Sequence, residues 1–560
     1  QQEWPYGADV TSPAAYFVTV HGRTATMTSA STGKVLSPAP TVSVSIRRRQ
    51  FTVEVAHQTW NPGDSTVRMT VGVGLWDTVH HRYLVPAVGP ATDSTPGGAG
   101  AAPAAIVNVG PRYNEPWPDI HAPTETIGDT AAGGIAQGAM WREHEQALEL
   151  ALGTVTPFHA EVNFAKLHDD VTDNSDVPTS GPMDRILASH YAFGQGFDPS
   201  KVCGGLVGGV NLGAKCQGRL TGQLQPYNVY IPPGRPPAGG YGLTLLLHSL
   251  SANYNQFATS ANQSQLGKRD GGSVVVTPSG RGPDGGYAGI AESDTFETWN
   301  AVAHLYPLNP DWTDVTGYSM GGFGTYRLAE RWPDLFARAF SVVGEASPAS
   351  GLPSLRNVPM LAWNATADEL VPIDSTIQNT QEMTKDGLRY VEDVYTAADH
   401  LTLATNDQYG PGAAFLGSYR VDRNPAHVTY VVDPTEDSAP GKVVANHAYW
   451  LSGITVRKPG TGTIDVRSAG YGVGDPKPSG EQYGAGVLTG GTKAAIPYVQ
   501  LSQTWGAVPK TARRDVLDVV AHNVSRVVVD VRRARVDCQA KVHVKSDGPI
   551  KVILAGCPPK

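Results

Sequence analysis

Gly317-Tyr318-Ser319-Met320-Gly321 lies between an extended apolar run, Thr313 to Thr316, and a helical run, Gly322 to Arg331. This G-x-S-x-G sequence has the strand-turn-helix context that its chemistry requires. A sharp turn at the carboxyl end of a strand strains the backbone at the serine and lifts its hydroxyl clear of the sheet. Small residues two places before and two places after let strand and helix come close. The positive end of the following helix then faces the hydroxyl. Ser319 is the candidate nucleophile.

A serine hydroxyl needs a base, and the base needs a carboxylate to orient it. In the order Ser, acid, His, the histidines after Ser319 are His400, His427, His447, His522 and His543. His400 follows an extended run, Tyr390 to Tyr395, whereas the other four fall in a later β-patterned region. His400 is therefore the candidate base. Asp368 follows the apolar run Val358 to Asn364, one strand earlier, and is the candidate acid, with Glu369 as its rival. Asp374 reads as an N-cap for a helix starting near Ser375. The developing oxyanion needs donors. One is the N–H of Met320. The other comes from the loop His248-Ser249-Leu250-Ser251, from the N–H of Leu250 or, alternatively, of Ser249. His248 itself reads as a structural histidine bonded to the loop backbone.

Outward from the pentapeptide, extended and helical runs alternate. Gln223 to Ile231, Leu243 to His248, Ser273 to Thr277 and Ala339 to Val343 are strand-like, while Ser251 to Leu266 and Thr295 to Tyr306 are helix-like. Such alternation predicts a mostly parallel sheet covered by helices on both faces. Residues 1–200 are β-patterned, with alternation over Thr41 to Ile46, Phe51 to Ala56 and Val67 to Leu75. One helix is expected from Gln137 to Leu152, then a strand from Phe158 to Leu167 and a linker from Asp169 to Pro182. From about Ala414 the β pattern returns, and Gly474 to Tyr483 reads as a surface loop. The expected division is an N-terminal β-rich module (1–200), an α/β catalytic domain (201–415) and a C-terminal β-rich module (416–560), the flanking modules being β-sandwich-like.

Residues 217–415 resemble the α/β-hydrolase superfamily. They are most similar to a secreted esterase group that includes polyhydroxybutyrate depolymerases, feruloyl esterases and the esterase D and prolyl-oligopeptidase-like enzymes. The resemblance is carried by Leu245-Leu246-Leu247-His248, by Thr313 to Arg331 with its Ser-Met-Gly-Gly, by Trp332-Pro333-Asp334-Leu335-Phe336-Ala337, and by Asp368-Glu369-Leu370-Val371-Pro372. It implies a serine hydrolase that works through an acyl-enzyme on a carboxylic ester, small or polymeric, with no cofactor and no metal. Such families commonly carry His-Gly at the oxyanion strand end, where this chain has His248-Ser249. The Gly-rich loop Gly280 to Gly289 is expected to border the site. Tyr287 and Tyr318 are either pocket aromatics or packing, and Ser249 is a further candidate for substrate contact. Tyr254 and Phe257 read as helix core. Two rival functions remain open at this point, a serine peptidase or amidase and a carbohydrate- or surface-binding protein with a vestigial hydrolase domain.

Composition narrows the setting. The 560 residues include 63 glycines and 43 prolines, and charged side chains make up only 17%, against averages of roughly 12% Gly plus Pro and about 25% charged. A net charge of −8 gives no electrostatic case for nucleic acid. No apolar run is long enough to span a bilayer. The four cysteines form two close pairs in sequence, Cys203 with Cys216 and Cys538 with Cys557. Three connectivities are possible and local pairing is the simplest. Two disulfides, the low charge and a first residue other than Met favour an exported protein. Oligomeric state is not legible.

Overall fold

The computed structural model describes residues 1–47, 50–85, 104–111, 149–150, 152–172, 178–193, 219–250 and 252–558, with short strand pieces between 87 and 211. Of the helix expected over Gln137 to Leu152, residues 137–148 and 151 lie outside the described residues, Glu149 and Leu150 being helical, and the pair Cys203 and Cys216 lies outside them as well. The chain forms two compact units, one of residues 1–116 and 140–177, the other of the remainder.

In the first unit, the runs at Tyr16–His21, Thr24–Ser29, Thr41–Ser45 and Gln50–Glu54 pair into one four-stranded sheet. Its small core gathers Ala8, Val10, Ile106, Val155 and Phe158. The strand expected over Phe158 to Leu167 is shorter, Ala160–Asn163, because Asn163 caps a short helix, Phe164–His168, by accepting the Lys166 N–H.

The second unit is built on a ten-stranded mixed sheet. Its strands are β1 (Gly181–Ala188), β2 (Leu224–Ile231), β3 (Tyr241–Leu247), β4 (Ser273–Pro278), β5 (Leu308–Tyr318), β6 (Arg338–Val342), β7 (Met360–Ala365) and β8 (Tyr390–Tyr395). Two later strands complete it. Across the sheet the order is β1-β2-β4-β3-β5-β6-β7-β8. The strands from β4 to β8 are mutually parallel, while β2 runs antiparallel to β4 and β1 antiparallel to β2. Every residue of β3, β4 and β7 is buried, as a sheet covered on both faces demands. The helices are α1 (Ala261–Lys268), α2 (Ile290–Leu305), α3 (Met320–Arg331), α4 (Ile373–Lys385), α5 (His400–Thr405) and α6 (Gly410–Leu416). This is the mostly parallel sheet interspersed with helices that the alternation predicts, and it is the arrangement that the α/β-hydrolase resemblance implies.

Several expected boundaries move. The expected linker ends inside β1, because Pro182 sits on an edge strand, where a missing N–H costs no ladder bond. Helix α1 is half the expected length. Tyr254 and Phe257 are buried, as expected, but on turns ahead of it. Asp374 stands in the first turn of α4 rather than capping it; the N-cap position is Pro372.

The chain after α6 forms β9 (His427–Val432), β10 (Leu451–Val456), β11 (Gly462–Ser468), β12 (Gln482–Leu488), β13 (Ile496–Gln503), β14 (Val516–His522), β15 (Val524–Asp530), β16 (Lys541–Ser546) and β17 (Lys551–Ala555). Strands β9-β11-β14-β16 form one sheet and β10-β15-β17 another. Alternate residues of both, among them Val428, Val466, Val519, Ile454 and Val527, share one core. Cys538 and Cys557 are disulfide-bonded, the local pairing expected. Strands β12 and β13 do something else. Strand β13 pairs antiparallel with β8 and β12 pairs with β13, so residues 482–503 extend the hydrolase sheet. That sheet therefore reaches beyond residues 201–415 on both sides.

One buried carboxyl lies where β7 and β8 meet. Glu392 accepts from Asn364 Nδ2 at 2.8 Å and Thr380 Oγ1 at 3.2 Å. Burial pushes it up to about 8 from an ordinary 4.5. The folded state holds a proton that the unfolded chain releases, so stability falls as pH rises between these two values. Glu392→Gln removes that loss. Its melting temperature should match the wild type near about pH 4.5 and exceed it increasingly towards about pH 8, measured by thermal denaturation across that range. A constant difference would contradict the assignment.

Candidate active site

Ser319 occupies the N-cap of α3 at φ 55°, ψ −118°, a left-handed backbone that a serine adopts only when its surroundings enforce it. The enforcement is steric. A Cβ on Gly317 would lie 2.3 Å from the Gly321 carbonyl oxygen, and one on Gly321 would lie 2.1 Å from the Leu247 carbonyl oxygen. Strand β5, helix α3 and the end of β3 thus meet backbone to backbone. The Ser319 N–H donates to Val342 O on β6 at 2.9 Å, which ties the turn to the next strand.

The structure brings together the three side chains singled out from the sequence. Ser319 Oγ lies 2.9 Å from His400 Nε2. His400 Nδ1 lies 2.9 and 2.8 Å from the two carboxylate oxygens of Asp368. All three residues are buried. Asp368 is itself fixed, since its Oδ1 accepts the N–H groups of Leu370 at 2.9 Å and Val371 at 2.7 Å. A carboxylate against Nδ1 selects the imidazole tautomer that carries its proton there and leaves Nε2 free to accept from a hydroxyl. Such a line can take the Ser319 proton as the oxygen attacks, and can return it to a leaving group. The rival Glu369 is exposed.

His400 opens α5, whose start is held by a capping box. The Asp399 carboxylate accepts the Thr402 N–H at 2.8 Å, and Thr402 Oγ1 accepts the Asp399 N–H at 3.2 Å. The sequence signal was present in Asp399-x-x-Thr402, although the nearby carboxylate reads equally as plain surface polarity.

On the donor side, the Ser249 N–H donates to Gln256 Oε1 at 2.7 Å. That removes Ser249 as the alternative oxyanion donor and gives its loop a brace that no motif announces. The Met320 N–H is the first of helix α3, where the opening N–H groups have no acceptor within the helix. The His248 carbonyl lies beside Gly321, so the Leu250 loop starts at the same turn. His248 is fully buried, and its ring nitrogens lie 2.9 and 3.0 Å from the Ser249 and Ser279 carbonyl oxygens. Burial pushes its imidazole down. It is a strut between two loops, as expected.

The proposed aromatic contacts change. Tyr287 is 1% exposed, its hydroxyl donates to His248 O at 3.1 Å, and its ring lies against Gly324. It is core, and the loop Gly280 to Gly289 is folded around His248. Tyr318 is also buried and packs in a cluster with Phe257, Phe340 and Trp363. Its hydroxyl donates to the His400 carbonyl at 2.6 Å and its ring lies 5.3 Å from the imidazole, centroid to centroid. Burial holds that phenol well above its usual range, so it remains a donor. Among the described residues, no cluster of metal-ligating side chains occurs, and no helix is long and apolar enough to cross a membrane.

Residues 291–422 match the model of the dienelactone hydrolase family. The matched segment contains Ser319, Asp368 and His400 and excludes the Leu250 loop. No curated protein matches the chain. Among solved structures, the chain is similar to a thermostable esterase at 21% identity and a TM-score of 0.30, over 36% of this chain and 60% of that one. It is similar to a fluorophosphonate-binding serine hydrolase of Staphylococcus aureus at 15% identity and a TM-score of 0.33, over 43% and 99% of the two chains. It is also similar to the feruloyl esterase module of Clostridium thermocellum at 15% identity and a TM-score of 0.29, over 40% and 83%. The resemblance to α/β-hydrolase esterases seen in the sequence thus stands on the family match.

Tyr318→Phe deletes one hydrogen bond to the residue that carries the base. Reaction of Ser319 with a fluorophosphonate probe should slow about five-fold, the worth of a bond near ~1 kcal/mol. An unchanged labelling rate would show that the hydroxyl does not position His400.

Proposed function

We propose that this protein is a serine esterase that cleaves carboxylic esters through an acyl-enzyme. Ser319 Oγ attacks the ester carbonyl while His400 Nε2 takes its proton. Asp368 holds the imidazole in the accepting tautomer and offsets the charge that forms on it. The oxyanion is received by the N–H groups of Met320 and Leu250, the first reinforced by the positive end of α3. His400 then protonates the departing alcohol. Water, deprotonated by the same imidazole, attacks the acyl carbon and releases the acid. The observation that carries this reading is the hydrogen-bonded line from Ser319 through His400 to Asp368, at 2.9 and 2.8 Å. The dienelactone hydrolase match over 291–422 supports the same chemistry.

Two further parts of the reading concern setting. The facing sheets of the C-terminal region, read as a β-sandwich-like module, present or shape a substrate that is small or polymeric. The Cys538–Cys557 disulfide supports an oxidising compartment and hence export.

Ser319→Ala tests the mechanism directly. Hydrolysis of p-nitrophenyl acetate should fall by about a thousand-fold or more, with the circular dichroism spectrum retained. Activity that survives the substitution would place the chemistry elsewhere.

A further inference from the structure

Helix α5 has only six residues, His400 to Thr405. A helix this short does not hold itself in water, yet His400 must keep Nε2 on Ser319 and Nδ1 on Asp368. Its first turn is fixed by the capping box. Its last turn ends in carbonyl groups that have no partner within the helix, and these are met from a distant part of the chain. In the turn between β12 and β13, Thr492 Oγ1 donates to Thr405 O at 2.6 Å and the Thr492 N–H donates to Asn406 O at 2.8 Å. The Lys493 N–H donates to Asn406 Oδ1 at 3.0 Å, and Gln408 Nε2 donates to Thr489 O at 2.8 Å. The approach is close. A Cβ on Gly491 would lie 2.3 Å from both Asn406 O and Asn406 Oδ1.

The same hairpin also holds the segment before the histidine. Strand β13 pairs with β8 from Tyr390↔Gln503 to Tyr395↔Tyr498, and the Thr396 N–H donates to Pro497 O at 3.2 Å. Residues 489–503 therefore grip the chain on both sides of His400, at its entry and at its exit.

We propose that the β12–β13 turn, through Thr492 and Gly491, is a positioning clamp for His400, so that the region after residue 416 is part of the catalytic apparatus rather than an appendage to it. This rests on the esterase reading for its kinetic consequence, but not for its structural one. The clamp touches neither substrate nor reacting atoms. It fixes the angle at which the imidazole meets Ser319, and so acts on kcat and not on binding.

The test compares Thr492→Val, which keeps the shape and removes the hydroxyl, with Thr492→Ser, which keeps the hydroxyl. In Thr492→Val, kcat for p-nitrophenyl acetate should fall about five-fold, with KM and melting temperature unchanged, and Thr492→Ser should restore it. Amide hydrogen exchange over 400–406 should quicken in the valine variant and not in the serine variant. Gly491→Ala, which pushes the turn off Asn406, should reproduce both effects. Unchanged exchange in Thr492→Val, faster exchange with an unchanged kcat, or a loss that serine does not restore would each overturn the clamp. A wild type with no turnover would overturn the esterase reading instead, and the exchange measurement would still decide the clamp.

Discussion

The contact on which the site depends is the one at which three backbones touch. Gly317 on β5, Gly321 on α3 and Leu247 at the end of β3 approach so closely that no Cβ fits between them. That approach forces Ser319 to a positive φ, and the forced conformation aims the hydroxyl above the sheet. The cost of such backbone strain, of order 1–3 kcal/mol, is met by the packing of buried side chains from β3, β5 and α3, among them Leu243, Leu245, Val315 and Leu328. One turn thus sets the nucleophile, the Met320 donor and the origin of the Leu250 loop together, because Gly321 also touches the His248 carbonyl.

Placing the other two groups is a different problem. Asp368 and His400 come from loops after β7 and β8, and loops do not position themselves. Each is fixed by local hydrogen bonds. Asp368 is held by the N–H groups of the next two or three residues, and His400 by Asp399 and Thr402 from before and within α5. Tyr318, the neighbour of the nucleophile, reaches across to the His400 carbonyl. The nucleophile and the base are therefore linked twice, once through the reacting atoms and once through a phenol that takes no part in the reaction.

What was legible in the sequence follows from how local its cause is. The Ser319 turn could be read because its glycines, serine and flanking runs lie within about twenty residues and each has one physical purpose. The β8 limits, Tyr390 to Tyr395, could be read from the aromatic and β-branched pairs at its two ends, Tyr390-Val391 and Val394-Tyr395, although Glu392 and Asp393 interrupt the run. Tyr287 and Tyr318 stayed open between pocket and packing because an aromatic beside a nucleophile looks the same whether it faces the pocket or the core. Only the positions of His248 and His400 decide that. Strands β1 and β12 were missed because edge strands need little apolar alternation. The first contains Pro182, and the second reads Gln482-Tyr483-Gly484-Ala485-Gly486, with most of its side chains exposed. Their membership of the large sheet is a property of partners far away in the chain.

That last point changes how the length of the chain is understood. The residues beyond α6 are not a separate body on a tether: the Tyr430 hydroxyl donates to Arg331 O at 3.0 Å, and the Val431 N–H donates to Ser354 Oγ at 2.9 Å. Instead the chain leaves the sheet after α6, makes β9 to β11, returns to lay β13 beside β8, and leaves again for β14 to β17. An edge that would otherwise expose the backbone of β8 is covered in this way, and the cover is drawn from the same region that builds the two smaller sheets. Strand β11 precedes the hairpin and pairs with β14, which follows it. Folding the smaller sheets therefore brings the two ends of the hairpin segment together, and the loop-closure entropy of returning to β8 is offset by contacts formed elsewhere. Cutting the chain at residue 416 would remove two strands, β13 and β12, from the central sheet.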